Sequence, residues 1–173
     1  MYQGLRLGTK SESLQPFIDL PQRLGRRFEL AISGASPAPL AALREAGWRI
    51  ADLDAVVHGP WTYQAFIQAS KAEFGIAKQG YVVTNCGWFS ERSAVYLASG
   101  RPVLAQDTGF PEWLPCGEGV LGFRSPEDVV DAISRVEADY DAHCRVAREL
   151  AEEYFEARRV LVPLIEVAIA TPR

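Results

Sequence analysis

Residues 84–93 run Thr84-Asn85-Cys86-Gly87-Trp88-Phe89-Ser90-Glu91-Arg92-Ser93, and their order decides how the rest of the chain is read. A strand-like run, Tyr81 to Thr84, leads into Gly87. Ser90 then stands before a helical pattern, Glu91 to Ser99, that Gly100 can stop. A strand that enters a tight glycine turn and leaves through a capped helix is a building unit of layered α/β domains. The first turn of such a helix has N–H groups without intrahelical partners, and its dipole favours negative charge. Gly87 lets backbone approach a ligand closely. With the hydroxyls of Ser90 and Ser93 and the guanidinium fork of Arg92, the segment offers what a diphosphate requires. A glycine before a capped helix is also common where nothing binds, so the motif alone leaves both readings open.

The flanking sequence repeats the alternation. Upstream, Phe28 to Ser33 predicts a strand. Ser36-Pro37 starts a helix through Leu40, Leu43 and Ala46 to Gly47, and Trp48 to Asp52 predicts a second strand. Pro60 to Ser70 predicts a helix and Phe74 to Lys78 a strand. Downstream, Pro102 to Gln106 predicts a strand, Asp107 to Gly117 a loop, and Gly119 to Phe123 a last strand. Ser125-Pro126-Glu127-Asp128 combines a cap, a first-turn proline and an acid at the third position, and helix dominates from Pro126 to about Ala168. The pattern predicts a Rossmann-like three-layer α/β/α domain with a mostly parallel sheet, over residues 28–173, preceded by an N-terminal linker or helix over 1–27. Ligands of such sheets bind beyond the carboxyl ends of the strands.

The totals are consistent with one domain. The chain has 173 residues, 48% of them hydrophobic and 23% charged, enough for a core without disulfides or a structural metal. A net charge of −4 disfavours broad nucleic-acid binding, which needs many phosphate-neutralising cations. Cys86, Cys116 and Cys144 match neither a disulfide framework nor a zinc site and predict reduced thiols in a cytoplasmic protein. Residues 1–10 hold no apolar core of signal-peptide length. Val160 to Ala170 is apolar but broken by Pro163 and Glu166, too short for a membrane span. Two distant histidines and no acidic cluster predict no metal.

Beyond the central motif, Lys78 at a strand's carboxyl end is a candidate diphosphate contact, with a surface lysine as the bland alternative. Thr108 and the Gly109 amide, in Gln106-Asp107-Thr108-Gly109-Phe110-Pro111-Glu112, are candidate phosphate or sugar contacts, against a loop shaped only for turning. Trp88 and Phe89 suit stacking on a base or sugar as well as core packing. Glu73, His58 and His143 read as solvated, and Cys86 as a small buried residue packing the loop. No catalytic residue is identifiable.

Asn85-Cys86-Gly87-Trp88-Phe89-Ser90 resembles the His-Cys-Gly-Trp-Asn-Ser run of plant-type glycosyltransferases that use UDP-sugars. Gly100-Arg101-Pro102-Val103-Leu104-Ala105, Gly109-Phe110-Pro111-Glu112 and Gly117-Glu118-Gly119-Val120-Leu121 are similar to the GT-B glycosyltransferase pattern. Glu73 to Lys78, Gly87 to Ser93 and Gly100 to Phe110 resemble the C-terminal halves of bacterial glycosyltransferase-like proteins. The resemblance covers about Phe28 to Leu164. It implies the donor-binding half of a two-domain enzyme, with a nucleotide-diphospho-sugar as substrate and no separate cofactor. Gly87, Trp88, Ser90, Arg92, Ser93, Lys78, Thr108 and Gly109 would be its binding residues. Asn85 stands where the plant-type motif has histidine, and Val95 where a ribose-binding glutamate falls. The resemblance further implies a missing N-terminal acceptor domain, without which turnover is not expected, or a homodimer in its place. Two alternatives remain: a non-catalytic binding or interaction domain acting through a partner chain or homodimer, and another phosphate-ligand enzyme on the same scaffold.

Overall fold

The structure, a computed structural model, describes residues 7–170; the first six residues of the expected N-terminal segment lie outside it. Among the described residues there are five short strands. β1 (Glu29–Leu30) pairs in parallel with β2 (Arg49–Ile50). β3 (Glu73–Gly75), β4 (Val103–Gln106) and β5 (Val120–Phe123) form a parallel sheet in the order β3-β4-β5.

Side-chain alternation along these strands builds the layers. Val103, Ala105 and Val120 enter one hydrophobic cluster, with Ile67, Leu97, Ala147 and Leu150. Leu104, Leu121 and Phe123, on the opposite face, enter another, with Leu43, Val129 and Val136. A sheet covered on both faces needs apolar residues at consecutive positions, which explains the buried Pro102-Val103-Leu104-Ala105 run. The first face is covered by α5 (Pro60–Ala69), α7 (Glu91–Ala98) and α9 (Tyr140–Tyr154). The second is covered by α3 (Pro37–Glu45) and α8 (Pro126–Ala138). The expected three-layer α/β/α arrangement is therefore observed.

The N-terminal segment is part of that second layer. α1 (Lys10–Leu14), a 3-10 turn at Gln15–Phe17 and α2 (Leu20–Leu24) place Phe17 and Leu20 in the core. Phe17 meets Phe123 edge-on at 5.3 Å, and Phe74 stacks on Phe123 at 5.2 Å. Offset and edge contacts of this kind add to area burial.

Several elements depart from expectation: β3 ends at Gly75, so Lys78 is the residue before a helix and not the end of a strand. Tyr81 to Thr84 is not a strand: α6 spans Gln79–Val83, and α4 (Leu53–Val57) is a further short helix. β-propensity is overridden by where the chain must go. The carboxyl end of β3 and the start of α7 lie at the same edge of the sheet. A four-residue strand would carry the chain about 13 Å away. A single helical turn keeps it there, and Asn85, at φ 48°, reverses it. The late helical stretch divides at Asp139, whose side chain caps α9, and at Phe155, before α10 (Ala157–Ala170). Among the described residues no helix is long and apolar enough to cross a membrane.

Candidate functional site

Ser90 caps α7 as its residue type predicts: its Oγ accepts from the Arg92 amide at 3.3 Å. Beside that cap lies a notch at the carboxyl ends of β3 and β4. Gly75, Gln106, Trp88, Ser90, Arg92 and Ser93 contribute to its lining. Its volume, about 30 Å³, is close to that of one water molecule. Four of the eight expected binding residues thus converge. A larger hollow of about 380 Å³, lined in part by Cys116, Asp128, Asp131 and Arg135, carries an excess of acid and does not suit an anion.

The other four frame the notch or stand apart. The Gly87 amide donates to the Thr108 carbonyl at 2.7 Å, and the Gly87 carbonyl accepts from the Trp113 indole at 3.1 Å. Gly87 sits at φ 74°, where a side chain is strained. Thr108 is sealed from solvent, and its hydroxyl donates to the Trp88 carbonyl. The Gly109 amide donates to Asp107 Oδ1 at 2.7 Å. These groups pin the 84–90 loop to the 106–110 loop, so the hydroxyl of Thr108 and the amide of Gly109 face loop partners rather than an open site. Lys78 is exposed just before α6, its ammonium 5.9 Å from the centre of the Tyr81 ring, which in turn contacts Trp88 at 5.3 Å.

Arg92 is half-buried, and its Nε donates to Glu73 Oε1 at 2.6 Å. Burial opposes its charge, but the Glu73 carboxylate and the hydrogen bond to it outweigh that, and the pKa rises. Glu73 is only 4% exposed, not solvated as expected. It opens β3 beside Val103, which is fully buried. Two further expectations are corrected. Cys86 is exposed. His143 is buried, and its Nδ1 accepts the Gly119 amide at 3.2 Å. His58 is exposed, as read.

Lys10 was not anticipated. Leu7 and Gly8 lie against Gly80 and Gln79 of α6, which carries the following Lys10 toward the notch. Burial first, then the Arg92 charge, lower the Lys10 pKa, while Glu73 and Glu91 oppose. Lys10, Lys78 and Arg92 therefore share one electrostatic neighbourhood. Phe89 stacks on Phe155 at 5.6 Å and meets Phe110 edge-on, so Phe89 packs inward, while Trp88 is 45% exposed. Val95 is exposed on α7. Among the described residues no group of acids, histidines and cysteines could hold a metal.

A family model described as glycosyl transferase-like matches residues 16–161. No curated protein and no solved structure matches the chain.

Proposed function

Since the chain belongs to the glycosyl transferase-like family, we propose that it is the donor-binding half of a glycosyltransferase, with a nucleotide-diphospho-sugar as the donor. The carrying observation is the convergence of Ser90, Arg92 and Ser93 on one notch at the carboxyl ends of β3 and β4. In glycosyl transfer the bond between the sugar's anomeric carbon and the diphosphate breaks as the acceptor oxygen bonds to that carbon. Negative charge then gathers on the departing nucleoside diphosphate. A capped helix start and a guanidinium already in place favour that charge without reorganising. Trp88, exposed beside the cap, offers a face for the base or the sugar. A notch of one water's volume leaves a donor largely uncovered, which supports a second domain that closes over it and brings the acceptor.

The test is a thermal-shift titration with UDP, GDP, ADP, TDP and their sugar conjugates. A ligand held well above its dissociation constant raises the melting temperature by mass action. A saturable shift with one nucleotide, lost in Arg92→Ala, is expected. No shift with any of them removes this reading. It would favour the second, a non-catalytic interaction domain, for which the exposed Leu161, Leu164, Ile165 and Ile169 of α10 speak.

A further inference from the structure

Glu73 is almost entirely buried, yet only half of its carboxylate is satisfied. Oε1 accepts from Arg92 Nε, while Oε2 is shut off from water and has no hydrogen-bond partner among the described residues. Buried carboxylates ordinarily fill both oxygens, because an orphaned one forfeits its hydration. An arginine serving only as a structural counter-charge would ordinarily pair through two N–H groups. Here the pairing uses Nε alone, and no other N–H of the Arg92 side chain bonds to a described residue.

The strand explains where the carboxylate sits. Residues 73 and 75 share a face of β3, and Gly75 has no side chain to cover its neighbour. A Cβ built there would lie 3.5 Å from Glu73 Oε1. The carboxylate therefore runs along the strand under Gly75, which itself lines the notch beside Arg92. Lys10 of α1, Tyr63 of α5 and Glu91 and Tyr96 of α7 are the other titratable groups in the field of this pair.

We propose that Glu73 is a positioning residue: gripping Arg92 by Nε alone, it leaves the outer nitrogens of the guanidinium to an anion bound in the notch. This rests on the reading of the notch as the donor's diphosphate site. Glu73 touches no ligand itself and acts through Arg92. Its charge also limits the attraction between Arg92 and the anion, so a neutral residue that still accepts from Nε should preserve binding.

Equilibrium binding of UDP and of inorganic pyrophosphate to the full chain separates these roles. Arg92→Ala is expected to weaken binding about tenfold or more, the usual scale for a charge-assisted hydrogen bond. Glu73→Gln keeps an acceptor oxygen and should stay within about threefold of the parent. Glu73→Met removes the acceptor at similar length and should lose as much as Arg92→Ala. The double variant should be no weaker than Arg92→Ala, because the two act as one unit. Should Glu73→Met fail to fold, Glu73→Asp, which withdraws the carboxylate, is expected to show the same loss. Unchanged binding in the folded Met or Asp variant, or losses that multiply in the double variant, overturn the positioning role while leaving the donor site standing. Parent-like binding by Arg92→Ala instead removes the donor-site reading, and this proposal with it.

Discussion

The side chain of Asn85 occupies the space that a side chain on Gly109 would need: a Cβ built on Gly109 would come within 2.8 Å of its amide group. The two residues belong to loops that follow α6 and β4, and both have positive φ, 48° at Asn85 and 94° at Gly109. Asn85 Nδ2 also donates to Glu112 Oε1 at 2.9 Å, so one side chain bridges both loops. Gly109→Ala is therefore expected to be destabilising twice over, by backbone strain and by displacing Asn85, for a total of about 2 kcal/mol. Asn85→Gly should recover part of that loss in the double variant, since it removes the collision but not the strain at position 109. Urea unfolding of the four proteins checks this; strictly additive losses would mean the loops do not share this contact.

The start of α8 gives a pH dependence with a definite sign. Asp128 accepts backbone N–H groups of Arg124 and Ser125, each at 2.8 Å, and these bonds hold its carboxyl below the usual 3.8. A carboxylate with a depressed folded pKa contributes stability above its unfolded pKa. That contribution is lost as pH falls through the folded value. Asp128 is solvent-exposed, so the effect is modest, on the order of 1 kcal/mol or less. Asp128→Asn should flatten the fall in stability between pH 5 and about pH 2. An unchanged acid profile in that variant would show that the cap does not carry charge-dependent stability.

The two cysteines near the loops should differ in reactivity. Burial, and secondarily the charge of Asp107, raise the Cys116 thiol to about 11. At pH 8 only about one molecule in a thousand carries the thiolate there, and the thiolate is the nucleophile. Both residues are exposed overall, so the difference rests on the Cys116 sulfur itself, which turns inward and donates to the Leu114 carbonyl at 3.4 Å, whereas Cys86 stands on the 84–90 loop. Iodoacetamide at pH 8, followed by peptide mass mapping, should label Cys86 well before Cys116; the reverse order would contradict the environment described for Cys116.

Much of the scaffold was legible because local rules and tertiary needs agree there. Ser90 and Ser125 are good caps and do cap. The Pro102-Val103-Leu104-Ala105 run is apolar at every position because both sheet faces are covered. Agreement fails where a residue's role is set by something far along the chain. Tyr81 to Val83 carry strand propensity but must turn toward α7. Glu73 and Arg92 meet across a strand and a helix start, and no spacing rule joins them. Thr108 looks like an offered hydroxyl until the Trp88 carbonyl is placed beside it. Lys10 precedes the segment in which the α/β pattern begins, so nothing local points from it to the notch.

Lys10 supplies the last prediction, since its cost and its use point in opposite directions. The residue as a whole is exposed, but desolvation of its ammonium and then the Arg92 charge lower its pKa, so the effect on stability is small. For a lysine whose folded pKa lies below its unfolded one, the charged form is disfavoured in the folded state. Its contribution at neutral pH is then unfavourable, and it is relieved only as pH rises through the folded pKa. Lys10→Met should therefore leave the empty protein at least as stable as the parent. An anion in the notch changes the balance, because it favours the ammonium and is favoured by it. The same variant should bind inorganic pyrophosphate about fivefold or more weakly, and the difference should shrink as salt screens the charges. Residues that trade stability for ligand affinity are a mark of binding sites. Thermal melts and isothermal titration at two ionic strengths measure both halves. A less stable variant with parent-like pyrophosphate affinity would place Lys10 in the packing of α1 and not in the site.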